Sequence, residues 1–268
     1  MDYKMIVLDL DGTLTNSKKE ISKSTKEALI EVQKRGCKVV LASGRPTPGV
    51  LPLAKELKLE IYGGYTLAFN GARILDCRSQ KVIYQKTLPQ KTIPEIYDAA
   101  IENKVGIITY TEDKIIAGTP VDAYMLKEKE ICKVPILEVE SFKDYVKFPV
   151  NKCLLTAEGS YLAKVEERLR KKFHKLLSVY RSEPYFLEIV PQGIDKAHSL
   201  SKLLASLGMT AKDMICCGDG FNDISMIEYA GLGIAMENAQ EAVKNAADFI
   251  TKSNDEDGIL HVIEQFLI

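Results

Sequence analysis

The sequence predicts an α/β protein: a parallel-sheet core interrupted by an α+β block. Three observations predict it. Short apolar, β-branched runs alternate with helical patterns in the first 75 residues. The alternation lapses between about 84 and 188 and then returns to the end of the chain. Polar clusters stand at the carboxyl ends of the apolar runs, where open parallel sheets bind their ligands.

The elements follow in order. "MIVLDL" reads as a buried strand that ends in Asp9 and, after one residue, Asp11. A helix is expected from Ser22 to Arg35, with Ser22 as its N-cap and Gly36 as its stop. "CKVVLAS" is a second strand, a helix covers Gly49 to Leu57, and "TLAFNGA" is a third strand ending at Asn70-Gly71. Strands this apolar belong in a sheet covered on both faces.

From about Val82 the pattern changes. "KTIPEIYDAAIEN" carries Ile93, Ile96, Tyr97, Ala100 and Ile101 at helical spacing. "VGIITY" and "KIIAG" flank Thr111-Glu112-Asp113, a hairpin signature. "PVNKCLLTA", the helix "YLAKVEERLRKKF" and the strands "LLSVYRS" and "YFLEIVP" complete the insert. The alternation resumes with "DKAHSLSKLLASLG", "DMICCG", "NDISMIEYAG", "LGIAM", "NAQEAVKNAA" and "DFIT", and a last helix spans about Glu256 to Leu267. The expected division is therefore 1–83 with 189–268 as the core and 84–188 as the insert.

Composition narrows the function. The chain is 46% hydrophobic with 36 basic and 37 acidic residues, a net charge of -1. That balance argues against nucleic acid or an anionic membrane surface as a partner. No apolar run reaches the roughly 18 residues of a membrane span, and no leader pattern opens the chain. Six scattered cysteines without a C-x-x-C pair read as reduced core thiols. These features predict a cytoplasmic protein, monomer or homodimer.

The chemistry lies in four clusters: Asp9/Asp11, Ser43-Gly44-Arg45, Lys196, and Gly218-Asp219-Gly220-Phe221-Asn222-Asp223. Buried acids need compensation. Asp9 and Asp219 suit a hard divalent ion such as Mg2+. Ser43, the amides around Gly44, and Lys196 suit phosphate oxygens. One carboxylate can attack phosphorus and a neighbour can act on the leaving oxygen. Lys196 opens a helix, where the dipole disfavours a cation, so an anionic partner is expected. Arg45 and Asn70 also stand at strand ends, although an ion pair and a turn would account for them as well.

These four stretches, in this order, resemble the motifs of the haloacid dehalogenase-like hydrolases, and the insert resembles the cap of their Cof-type sugar-phosphatase branch. The resemblance covers essentially the whole chain. It implies a Rossmann-like core with an inserted α+β cap domain, and a Mg2+-dependent phosphatase acting on a small phosphomonoester such as a sugar phosphate or flavin mononucleotide. It also implies roles. Asp9 would be the nucleophile and Asp11 the general acid and base. Ser43, Gly44, Lys196 and Asn222 would bind phosphate. Asp9, Asp219 and the backbone carbonyl of Asp11 would hold the metal. Asp223, Arg45 and Asn70 would support them. Lys196-Ala197 departs from the Lys-Gly common in the family. The cap would close over the site on hinges near Val82 to Lys86 and Ile189 to Gly193 and would carry specificity. Two other readings use the same residues: a phosphomutase that passes the phosphoryl group to a second sugar, and a phospho-accepting signalling module.

Overall fold

The structure, a computed structural model, describes residues 3–268. It contains two compact units, 3–84 with 195–268 and 85–194. In chain order the strands are β1 (Met5–Leu8), β2 (Lys38–Ala42), β3 (Tyr65–Ala68), β4 (Arg73–Asp76), β5 (Val82–Gln85), β6 (Gly106–Tyr110), β7 (Ile115–Ala117), β8 (Ile136–Glu138), β9 (Cys153–Thr156), β10 (Leu177–Glu183), β11 (Phe186–Pro191), β12 (Met214–Gly218), β13 (Leu232–Ala235) and β14 (Phe249–Ile250).

The first unit is built on one sheet of order β14-β13-β12-β1-β2-β3-β4-β5. The pairs from β14 through to β3 are parallel. All four residues of β1 are buried, as are Val39 to Ala42 in β2, so helices cover both faces. On one face Met5, Val7, Val40, Leu67 and Cys216 pack with Leu200, Leu203 and Leu204 of the helix Lys196–Leu207. The helices Lys23–Lys34 and Gly258–Phe266 also pack together. Ser22 caps the former, its hydroxyl accepting from the Thr25 amide at 3.2 Å.

Strand order sets the site. The chain runs outward from β1 through β2 and β3, then returns to the other side of β1 with β12, β13 and β14. The reversal falls between β1 and β12, and ligands bind beyond the carboxyl ends of strands at such a switch point. Asp9 and Asp219 are the residues immediately beyond β1 and β12.

The sheet extends further than the sequence pattern indicates. β3 ends at Ala68, and Phe69–Gly71 forms a tight turn with positive φ at all three residues. β4 then returns antiparallel to β3, with Tyr65 opposite Asp76, and β5 forms the edge.

The second unit is a six-stranded sheet of order β10-β11-β9-β6-β7-β8, antiparallel except between β7 and β8. The expected hairpin is present, with Ile108 opposite Ala117. Helices Thr92–Glu102 and Gly159–Phe173 supply Ile93, Ile96, Leu162, Val165 and Leu169 to a core with Ile107, Leu155 and Ile189. The helix Ala123–Cys132 has no counterpart in the sequence reading. Its buried positions are Met125, Glu128 and Cys132, so a carboxylate interrupts the apolar period. Glu128 is accommodated by the Tyr110 hydroxyl, which donates to it at 2.7 Å.

The return to the first unit falls at Asp195 rather than 189, because β11 continues to Pro191, which pairs with Leu177 of β10. Within the segments expected as hinges, Val82–Gln85 and Ile189–Pro191 are strand.

Candidate active site

Lys196 is the centre of the site. It is the first residue of its helix, where Asp195 caps by accepting from the His198 amide at 2.8 Å. Its side chain is only 1% exposed. Its Nζ donates to Asp9 Oδ1 at 2.8 Å, to Asp223 Oδ1 at 2.5 Å and to the Ala42 carbonyl at 3.0 Å. Three donors meet three acceptors, so the buried ammonium is fully paired. Burial works against its charge, but Asp223 and Asp9 outweigh burial and hold its pKa above the usual lysine range. The two acids also offset the helix dipole. Asp9 is held well above the usual carboxylate range by burial and by the charge of Asp223, with Lys196 opposing.

Asp223 locks the neighbouring loop. Its Oδ2 accepts the amides of Asp219 at 3.0 Å and Gly220 at 2.9 Å. Asp219 in turn takes the Thr13 hydroxyl on Oδ1 at 2.6 Å. Burial, helped by the Asp223 charge and opposed by the Thr13 bond, pushes Asp219 up to about 6.

The acids fit a divalent cation. Carboxylate oxygens of Asp9, Asp219 and Asp223 lie within 4.8 Å of one another. An all-oxygen, all-anionic donor set matches a hard ion. Both oxygens of Asp223 are already bonded, which leaves Asp9 and Asp219 as the acids able to hold metal. Gly12 makes room for them. At φ +86° it abuts Asp219, and an added Cβ would overlap that carboxylate.

Asp11 is turned into a basic clamp. Arg45 holds it through two bonds, Nε to Oδ2 at 2.7 Å and Nη2 to Oδ1 at 2.6 Å, and Lys19 Nζ reaches Oδ1 at 2.7 Å. Burial opposes them, yet these hydrogen bonds hold the carboxyl below its ordinary value. The side chain of Asp11 is thus engaged with cations, so only its backbone carbonyl is left for the metal role expected from the resemblance.

Ser43 is buried next to Ala42, the carbonyl partner of Lys196, and its Oγ accepts the Arg45 amide at 3.1 Å. The Asn70 amide donates to the Ser43 carbonyl at 2.9 Å. Asn222 Nδ2 donates to Asn70 Oδ1 at 3.0 Å, and a Cβ on Gly44 would stand 3.2 Å from the same amide. Ser43, Gly44, Asn70 and Asn222 therefore form one connected wall. Lys19 and Thr13 are the residues that the sequence reading passed over. Thr13 follows Asp11 by two residues and has no role in that reading. Lys19 follows Asp11 by eight residues, and no periodicity signals that pairing.

A parallel α/β unit with buried acids and a lysine gathered at the carboxyl ends of its strands is a Rossmann-like core carrying a candidate phosphoryl-transfer site. The sequence matches the haloacid dehalogenase-like hydrolase family over residues 6–263, and the chain belongs to that family. A haloacid dehalogenase-like hydrolase from Bacteroides thetaiotaomicron is 49% identical and superposes with a TM-score of 0.97, covering 99% of this chain and 100% of its own. The 5-amino-6-(5-phospho-D-ribitylamino)uracil phosphatase YcsE of Bacillus subtilis is 31% identical over 268 residues, 100% of this chain and 97% of its own. A sugar phosphatase of subclass IIB is 26% identical at a TM-score of 0.79, covering 98% of each chain.

Proposed function

We propose that this protein is a Mg2+-dependent phosphatase that hydrolyses a small phosphorylated metabolite carrying a sugar or sugar-alcohol moiety. The observation that carries this reading is the buried Lys196 bridging Asp9 and Asp223 beside Asp219. The substrate class follows the names of the relatives, a ribitylaminouracil phosphatase and a sugar phosphatase.

Asp9 attacks phosphorus and forms an aspartyl-phosphate while Asp11 gives its proton to the departing alkoxide oxygen. Asp11 then takes a proton from the water that attacks the aspartyl-phosphate, and inorganic phosphate leaves with Asp9 regenerated. Lys196 holds Asp9 in position and adds positive charge next to the reacting phosphoryl group. Ser43 and the Gly44 amide bind its oxygens, with Asn222 and Asn70 completing the wall. Asp9, Asp219 and the Asp11 carbonyl would hold Mg2+, which when bound neutralises phosphoryl charge as a Lewis acid. Asp223 fixes Lys196 and the Asp219 loop.

Among the described residues no helix is long and apolar enough to cross a membrane. Six free, buried cysteines accord with a reducing cytoplasm. The test is a phosphate-release screen over phosphorylated metabolites with and without Mg2+. Metal-dependent release of inorganic phosphate, abolished in Asp9→Asn, is expected. Turnover by Asp9→Asn, or isomerised hexose phosphate in place of free phosphate, would overturn this assignment.

A further inference from the structure

One short segment ties together the two loops that carry the acids. The Met236 amide donates to the Gly218 carbonyl and the Gln240 amide to the Asp219 carbonyl, each at 3.1 Å. Between them, Asn238 Nδ2 donates to the Gly12 carbonyl at 2.8 Å. Segment 236–240 thus holds the Asp219 loop through its backbone and the Asp11-Gly12 loop through one side chain.

The orientation of Asn238 is itself set. Its Oδ1 accepts the Asn254 amide at 3.0 Å, which directs its Nδ2 toward Gly12. Asn254 Nδ2 donates to the Thr15 carbonyl at 2.9 Å, three residues further along the same loop. Asp255 and Asp257 continue the attachment, taking the Ser17 amide at 2.8 Å and the hydroxyls of Ser24 and Thr25 at 2.8 and 3.2 Å. Asp9 is anchored differently, by the sheet: its amide donates to the Cys217 carbonyl at 3.0 Å. The nucleophile is thus tied directly to the sheet, whereas the loop bearing Asp11, closed on itself by the Leu14 and Thr15 amides, is tied to segment 236–240 through Asn238.

We infer that Asn238, oriented by Asn254, is a positioning residue that places Asp11 for proton transfer to the leaving group. The inference rests on the proposed role of Asp11. The side-chain bonds of both asparagines go to backbone groups, the Gly12 carbonyl, the Asn254 amide and the Thr15 carbonyl. Asn238 fixes the Gly12 carbonyl, and with it the backbone from which Asp11 projects, while Arg45 and Lys19 hold the carboxyl itself.

The test compares a phosphomonoester whose leaving group needs no proton, p-nitrophenyl phosphate, with one whose leaving group does, glycerol phosphate. A misplaced acid penalises kcat/KM of the alkyl ester selectively, because kcat/KM reports the steps up to departure of the leaving group and not the shared hydrolysis of the aspartyl-phosphate, and a general acid contributes about 10²–10⁴-fold only where the leaving oxygen needs a proton. A loss of folded enzyme lowers both rates equally. Asn238→Ala is expected to lower kcat/KM for glycerol phosphate about tenfold more than for p-nitrophenyl phosphate. Equal losses, or none, would overturn the inference. If Asn238→Ala does not fold, Asn238→Asp is measured instead. Its carboxylate still accepts the Asn254 amide but cannot donate to the Gly12 carbonyl, and an alkyl-selective loss is expected, with equal or absent losses again overturning the inference. Asp11→Asn separates the two levels. An alkyl-selective loss in Asp11→Asn without one in Asn238→Ala sinks the inference alone. Its absence in Asp11→Asn sinks the acid assignment beneath it.

Discussion

Arg45 holds Asp11 through both carboxylate oxygens, at 2.7 and 2.6 Å, across 34 positions of sequence. The residue proposed to deliver a proton is therefore stabilised in its ionised form. Fork-to-carboxylate pairs of this kind are among the stronger charged hydrogen bonds.

Removing the guanidinium should alter the pH profile in a defined direction. Asp11 is held below its ordinary value by Arg45 and Lys19 against the opposing effect of burial. In Arg45→Gln its pKa rises, so more of it is protonated at a given pH. The fall of kcat/KM with rising pH on an alkyl phosphate should move to higher pH, as measured in a rate profile. The sign for stability is the reverse: the pair stabilises the fold above the unfolded aspartate value of about 4, and this contribution is lost as pH falls through the lower folded value. An unmoved or downshifted rate profile would show that Arg45 does not govern Asp11.

Lys196 is the most consequential single side chain. Lys196→Met leaves Asp9 and Asp223 buried without their shared cation. Breaking a buried pair from one side costs about 3–5 kcal/mol, readable by urea denaturation, and activity should vanish. Adding Asp223→Asn should restore part of that stability, so the double variant loses less than the sum of the singles. Strict additivity would mean that the two groups are not coupled.

Gly71 tests the backbone beneath the site. Its φ is +103°, and an added Cβ would stand 2.7 Å from Ser199 Oγ and 2.8 Å from the Asp195 carbonyl. Both atoms belong to the start of the Lys196 helix. Gly71→Ala should destabilise the protein by about 1–2 kcal/mol from conformation alone and lower kcat by shifting Lys196. Full activity at full stability would show that the turn adapts freely.

Glu158 provides a pH prediction in the inserted unit. It caps the helix Gly159–Phe173, accepting the Ser160 and Tyr161 amides at 2.9 and 3.0 Å. The Ser160 hydroxyl and these amides lower its pKa to about 2. A lowered folded pKa stabilises above the unfolded value of about 4.3, and that stabilisation is lost as pH falls toward 2. Wild type should melt at higher temperature than Glu158→Gln at pH 7, and the gap should narrow below about pH 4 and close as pH falls through about 2. A gap that persists in acid would point to packing rather than charge.

Much of the fold was legible because its signals are local. Apolar strands, the Ser22 cap and the alternation of elements each depend on neighbours within a dozen residues. The exceptions have local causes as well. The helix Ala123–Cys132 was hidden because Glu128 sits on its buried face. The strand "YFLEIVP" was legible to its end at Pro191, whereas the return to the first unit at Asp195 was not, because residues 189–191 still pair with β10.

The site divides along the same line. Residue type and position, at a strand end or for Lys196 at a helix start, single out Asp9, Asp11, Ser43, Lys196 and Asp219 as candidates in the sequence, because charged groups beside apolar strands need compensation. Their pairings belong to the tertiary structure. That Lys196 bridges Asp9 to Asp223, that Arg45 and Lys19 hold Asp11, and that Asn238 reaches Gly12 join residues up to 226 positions apart. Such hydrogen bonds act over about 3 Å and depend on angle. Only the packed sheet brings donor and acceptor to that separation, and no spacing along the chain encodes it.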